Sequence, residues 1–261
     1  MIHESDHRDR IGSLAWARRN GGRMSAAERF AYARATIART LRSETGRALR
    51  RLGLTGPKQI SLALAEVPLP GTPIAAAAAA LCTELSTPAL ANHCHRTYLW
   101  GALLAARDGV TYDAELFYVS SLLHDLGLTE RFAPQGAVSC FALSGAEAAE
   151  RFARREGWTT LRAETLAEAI CLHLNPTVGI DEGAEAHLLR QGSGLDVVGL
   201  RFGEIAAATR TEVLGRHPRL GLSKELAATL DRDAGLHPHT RLAGLCRLGF
   251  AGRVKGAPFS D

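Results

Sequence analysis

Apolar positions recur every three to four residues along most of this chain, and strict apolar–polar alternation is nearly absent. That period predicts helices almost throughout. The stretch "SAAERFAYARATIARTLRSETGRALRRLG" opens with Ser25 and Glu28 in capping-box spacing. It carries Phe30, Ile37, Leu41, Leu49 and Leu52 at helical intervals, and Gly53 stops it. Residues 1–24 lack a clear pattern and are expected to be disordered in part. "TGPKQISLALAEVPLPGTP" is rich in Pro and Gly and reads as a linker. Beyond it the pattern predicts helices over 73–86, 90–107, 113–126, 145–156, 160–174, 183–191, 196–213, 222–233 and 239–249. Ser144 with Glu147 forms a second capping box, and Gly157 closes that helix. The expected fold class is all-α, a helical domain over 59–261 with a helical extension over 1–58.

Composition narrows the class. Hydrophobic residues make up 46% and charged residues 22% of 261 residues, enough for a sizeable core. No stretch approaches 18 uncharged apolar residues, so no membrane association is expected. The first residues, "MIHESDHRDR", have no apolar run of the kind a signal peptide carries. Five cysteines, scattered and without C-x-x-C spacing, suggest a reducing, cytoplasmic setting. Charge is uneven. Residues 1–60 hold twelve Arg and one Lys against five acids, a net of +8, while the remaining 18 bases face 22 acids, a net of −4. Such an arm suits an anionic surface or a solvated helix on the body. It lacks interleaved aromatics for base stacking, so nucleic acid is not an expected partner. The pattern leaves open whether residues 1–58 pack on the domain, build a homo-oligomer or stay loose.

Three segments put ionisable residues among apolar neighbours. In "LANHCHRTYLWGALLAAR" His93 and His95 are two positions apart on a helix and point about 200° apart, so both cannot serve one site. His93 shares the bulkier stripe with Leu90, Thr97, Trp100 and Leu104 and is the better candidate for a buried site. Arg96 flanks that stripe, able to reach a substrate anion, a carboxylate or a helix end. "YDAELFYVSSLLHDLGL" is apolar all round and reads as a buried helix whose exit delivers His124 and Asp125 inward. A buried, unpaired carboxylate costs several kcal/mol, and a cation removes that cost. In "GSGLDVVGL" Asp196 follows a glycine-rich turn, either as a helix cap or as another inward carboxylate.

His93, then His124–Asp125, then a distant Asp196 resembles the HD-domain superfamily of metal-dependent hydrolases. "NHCHRTYLWGALLA", "YDAELFYVSSLLHDLGLT", "AEAICLHL" and "GSGLDVVG" are similar to segments of cyanamide-hydratase-like HD proteins. The likeness covers roughly residues 65–205. It implies that His93, His124, Asp125 and Asp196 bind one divalent metal. Such a donor set suits zinc foremost, and also iron, manganese, cobalt or nickel. The implied reaction adds a metal-activated water to a small-molecule substrate, as in hydration of a nitrile to an amide or urea. His173, which matches a family histidine in "CLHLNPT", is the candidate proton shuttle, with Arg96 the other candidate catalytic residue. Asn175 or Thr177 could orient substrate. His187 reads as structural and Cys94 as a buried thiol, not a nucleophile. The rival expectations are an HD-type phosphohydrolase acting on nucleotides or phosphate esters, a di-iron oxygenase using further histidines such as His173 and His187, and a binding module without catalysis.

Overall fold

The structure, a computed structural model, describes residues 10–51, 56 and 58–260, leaving aside the side chains of 47–51. Its helices are α1 (Leu14–Asn20), α2 (Ala26–Arg51), α3 (Pro73–Leu85), α4 (Pro88–Asp108), α5 (Ala114–Leu123), α6 (Phe141–Arg155), α7 (Thr160–Leu172), α8 (Ala184–Val198), α9 (Ala207–Arg216), α10 (Leu222–Leu236), α11 (Arg241–Arg247) and α12 (Phe250–Lys255). Among the described residues there is no strand, only the isolated bridges Arg23–Thr240 and Ile60–Ile205. The fold is all-α.

Local chemistry sets the starts of the central helices. Thr72 and Thr87 accept hydrogen bonds from the N–H groups of Ala75 and Leu90 at 3.4 and 3.2 Å. Pro73 and Pro88 follow where no intrahelical N–H is needed. Asp113 opens α5 by accepting from Leu116 N at 2.9 Å. Helix α4 is buried on nearly every face and runs through the middle of the bundle, with α8 packed along it and α5 against both. Helix α6 packs on α7, and α10 on α11 and α12. Trp100, Leu103, Phe117, Phe141 and Leu143 are almost wholly excluded from water. Each such side chain contributes roughly 1.5–3 kcal/mol of transfer free energy.

Several boundaries differ from the sequence pattern. Helix α1 falls where no element is expected. Ser13 caps it at Trp16 N, and Gly21 ends it in the left-handed region. Residues 10–24 are therefore structured, and residues 1–9 lie outside the described residues. In α2 the capping box is present, with Ser25 Oγ accepting from Glu28 N and Glu28 accepting from Ser25 N. Among the described side chains of α2, Tyr32 and Thr36 are buried, while Phe30, Ile37 and Leu41 are exposed. The side chains of Leu49 and Leu52, and Gly53, lie outside the described residues. Helix α5 ends at Leu123, before the His–Asp pair. Helix α6 begins at Phe141, since Ser144 donates to the Phe132 carbonyl and does not cap. Helix α8 runs unbroken through the glycine-rich stretch to Val198, and the predicted 239–249 segment is divided between α11 and α12.

The N-terminal segment shares one core with the rest. Leu14, Trp16, Met24 and Tyr32 belong to the same buried cluster as α4, α6 and α7. Tyr32 donates to the Leu174 carbonyl at 2.6 Å, and Asn175 Nδ2 to the Ile11 carbonyl at 2.9 Å. Both bonds brace the turn that follows α7. Two arginines of the basic arm, Arg10 and Arg18, pair with Glu182 and Glu150 of the acidic body.

Candidate metal centre

Helix α5 gives out at His124, and Asp125 leaves helical geometry (φ −103°, ψ 13°) before a short 3-10 turn at Leu126–Leu128. This break keeps the two adjacent side chains on one cavity wall. The turn packs so tightly on α6 that a Cβ at Gly127 would lie 1.9 Å from the Phe141 carbonyl oxygen. Only glycine fits there.

His93, His124 and Asp125 come together in the interior, with exposures of 0, 1 and 6%. His93 Nε2 and His124 Nε2 are 3.3 Å apart. Asp125 Oδ2 lies 3.5 Å from the first and 3.3 Å from the second. The remaining ring nitrogens fix the tautomers. His124 Nδ1 is 2.8 Å from the Ser121 carbonyl, which can only accept, so Nδ1 carries the proton. His93 Nδ1 is 2.8 Å from Asp196 Oδ2 and donates to that carboxylate. When both rings are neutral, two Nε2 lone pairs and an anionic oxygen face one another across little more than 3 Å. Such a triangle is repulsive unless something positive sits in it.

Its dimensions suit a metal ion. A tetrahedral ion with bonds of about 2.0–2.1 Å spaces its ligand atoms about 3.3–3.4 Å apart. The donor set, two imidazole nitrogens and a carboxylate oxygen, matches a borderline divalent cation. The group can hold such an ion. Burial works against a charged His93, yet its hydrogen bonds to Asp125 and Asp196 outweigh burial and raise its pKa above the ordinary imidazole value. Burial likewise disfavours the Asp125 anion, but His124 and His93 hold its carboxyl well below the usual range.

Asp196 stands apart from this triangle. The expectation of a fourth ligand meets a different geometry, in which its oxygens are engaged by side chains on one face of α4. Arg96 Nε donates to Oδ1 at 2.7 Å, Arg96 Nη2 to Oδ2 at 2.9 Å and Trp100 Nε1 to Oδ1 at 2.8 Å, while His93 donates to Oδ2. Positions 93, 96 and 100 share a helix face, so about two turns of α4 grip one carboxylate. Arg96 outweighs burial and holds the Asp196 carboxyl far below its ordinary range. The resulting carboxylate–histidine pair is the kind that orients a metal-binding imidazole.

Arg96 is fully buried, and its third nitrogen donates to the carbonyls of His217 and Pro218 at 2.9 and 3.0 Å. It lies outside the cavity wall. Of the partners open to it by sequence, it takes a carboxylate, Asp196, and a helix end, the carbonyls that follow α9. His173 does face the cavity. Its Nδ1 donates to the Ile170 carbonyl at 2.5 Å, and Nε2 points at Asp125, 3.9 Å from Oδ1. Burial and the neighbouring His124 push its pKa down to about 3. It is therefore neutral and only weakly basic near pH 7, where the sequence pattern predicts a near-neutral titrating group.

The other candidates have settled partners. Asn175 is committed to Ile11 and to Arg241 Nη1. The Thr177 carbonyl accepts from Arg10. His187 donates to the Val178 carbonyl at 2.7 Å. Cys94 is buried, and a hydrogen bond with Cys82 followed by burial raises its thiol well above the ordinary value, which keeps it protonated. His95 is half-buried and stacks on His217, with ring centroids 4.7 Å apart.

A cavity of about 200 Å³ is lined by His93, His124, Asp125 and His173 and reaches α2. Two helical stripes line it that were not read as functional: Thr36, Arg39, Thr40 and Ser43 on α2, and Arg190, Ser193, Gly194 and Val197 on α8. Both follow the i, i+3, i+4, i+7 spacing of a helix face. That spacing is visible in the sequence, although the apolar stripe of α2 drew attention to its opposite side. No model of a known protein family matches this chain, and no curated protein matched it.

Proposed function

We propose that this protein is a metal-dependent hydrolase or hydratase of the HD-domain type, adding an activated water to a small electrophilic molecule such as a nitrile. The reading is carried by one observation: two imidazoles with tautomers fixed from behind meet a buried carboxylate at 3.3–3.5 Å, the spacing of ligands on one ion. His93, His124 and Asp125 would hold the cation, zinc first among the candidates. A bound cation of this kind supplies Lewis acidity and lowers the pKa of a coordinated water toward about 7.

The chain's own groups do the rest. Asp196, clamped by Arg96 and Trp100, fixes the His93 ring and its tautomer. Asp125 supplies negative charge against the cation. His173, neutral and anchored through Nδ1, offers Nε2 as a hydrogen-bond acceptor that orients the attacking water. Leu128, Phe141 and Leu174 line the same cavity and help keep bulk water out. Addition of water across a nitrile then moves one proton from the water to the nitrile nitrogen, and the resulting imidic acid passes its O–H proton to that nitrogen to give an amide or urea.

A second reading, an HD-type phosphohydrolase, draws support from Arg39, Arg190 and Arg253 in the cavity wall. Elemental analysis of the purified protein beside His124→Ala tests the shared premise. About one equivalent of divalent metal in the parent and loss of it in the variant is expected. Equal content in both ends the metal reading. Incubation with nitrile-type substrates and with a nucleotide panel separates the two reactions.

A further inference from the structure

The cavity is chemically divided. At its inner end stand the donor atoms of His93, His124 and Asp125. Its wall also carries the apolar side chains Leu226, Leu230, Leu245, Val197 and Phe250. At the α2 side it meets three guanidinium groups, Arg39, Arg190 and Arg253, against one carboxylate, Glu44. Arg253 donates to Thr40 Oγ1 at 2.9 Å. Arg190 donates to the carbonyls of Asn175 and Pro176 at 2.8 and 3.1 Å. Among the described residues no carboxylate pairs with Arg39 or Arg190, and Arg39 Nε is buried without a hydrogen-bond partner. These cations repel one another. Burial, then Arg39, lowers the Arg190 pKa to about 10, and Arg253 adds to the effect.

Resting on the metal-centre reading above, we infer that the cavity takes a small, elongated anion: a molecule with a short apolar stem, its charged end against Arg39 and Arg190 and its reacting end at the His93–His124–Asp125 triangle. Three facts converge on this class. The volume of about 200 Å³ lies below the roughly 300–1,000 Å³ typical of sites for drug-sized ligands, which favours a small substrate. The apolar side chains in the wall favour a hydrocarbon segment over a sugar or a second charge. The clustered guanidiniums are stabilised by an anion that relieves their repulsion and satisfies forked donors. A carboxylate and a phosphate monoester share the required chemistry.

The test compares octanoate, octyl phosphate and the neutral octanamide by calorimetric titration of the zinc-loaded protein, then of Arg39→Gln, Arg39→Lys and His124→Ala. Arg39 is half-exposed, so Gln there leaves the fold intact, and matching unfolding midpoints check this. The expected result is that at least one anion binds about tenfold or more tighter than octanamide. Arg39→Gln removes about tenfold of that preference, the size of one charge-assisted bond, and Arg39→Lys restores part of it. The tighter anion names the charged group. Three results would overturn the inference: no anion binding, equal affinity for octanamide, or an Arg39→Gln affinity equal to the parent's. Loss of anion affinity in His124→Ala but not in Arg39→Gln also overturns it, because the charged end then sits at the metal. Zinc content stays at the parent's level in Arg39→Gln. An absence of zinc in the parent, with the Arg39 effect intact, would sink the metal reading and leave the anion site standing.

Discussion

His93 serves two carboxylates through opposite edges of one ring, and its consequences can be measured. With Nδ1 donating to Asp196 and Nε2 turned to His124 and Asp125, the ring connects a structural anion to a functional one. Asp196→Asn should weaken zinc binding by about 10–100-fold, the usual cost of losing the group that orients a metal-binding histidine. It should also leave the fully buried Arg96 without its anion, destabilising the fold by roughly 3–5 kcal/mol. Chelator competition reads the first effect and urea unfolding of the apoprotein the second. If Asp196 were instead a direct ligand, metal would be lost outright. Protonation gives a second check. The raised His93 pKa means that cation and proton compete for the same lone pair. Zinc affinity should therefore fall by about tenfold per pH unit once the pH drops below the His93 pKa, with proton release on binding in weakly buffered solution. At this scale the sequence was legible where burial alone decides. His93, His124 and Asp125 lie among apolar neighbours and converge. It was not legible for Asp196 and Arg96, because ligand and orienting group differ only in which ring edge a carboxylate meets, and no spacing along the chain records that.

Helix α8 explains how the two ends of the site are held in register. The run Gly192-Ser193-Gly194 reads as a turn, yet the helix continues through it and places Asp196 in its last turn before Gly199. The glycine serves packing. A Cβ at Gly192 would lie 2.1 Å from the Thr97 carbonyl oxygen of α4, so the two backbones cross closer than any side chain permits. That crossing lets Asp196 reach His93, Arg96 and Trp100 together. Gly192→Ala should push α8 off α4. A loss of roughly 1–3 kcal/mol is expected in urea unfolding, and weaker zinc retention should accompany it, because the strain falls between the elements that carry His93 and Asp196. A stability loss without any change in zinc affinity would mean that the crossing does not tune the site. Helix α2 shows the converse difficulty. Its Ala- and Arg-rich sequence has only a weak apolar stripe, Phe30, Ile37 and Leu41, and that stripe faces solvent. The inward side is built from Tyr32, Thr36, Thr40 and Ser43, and the hydroxyls of Tyr32, Thr36 and Thr40 donate to backbone carbonyls. Hydrophobic periodicity cannot find a helix face buried through mid-polar residues.

Across the whole molecule the basic arm and the acidic body act as one unit. Arg10 and Arg18 pair with body carboxylates, and the turn after His173 is braced by Tyr32 and Ile11. Among the described residues no helix is long and apolar enough to cross a membrane. Global stability should carry a histidine signature outside the candidate site. His217 stacks on His95, and burial, then His95, Arg216 and Arg96, lowers its pKa to about 4. The unfolded chain returns it to about 6.5. Between these values the unfolded state binds more protons than the folded state, so unfolding free energy rises with pH across that window. The contribution is complete above pH 6.5 and is lost as the pH falls toward 4. Asp233 runs the other way. Burial raises its pKa to about 6, so the folded state holds the extra proton, and its contribution fades as the pH rises from 3.8 through 6. The parent's profile sums both, and a single-site comparison separates them. His217→Phe keeps a flat ring against His95 but removes the titration. Its urea midpoint should therefore fall less steeply than the parent's between pH 7 and pH 4.5, while the two agree in slope above pH 7. Parallel profiles throughout would mean that the His95–His217 stack opens to water before it titrates, and that the α4–α9 contact is looser than its geometry implies.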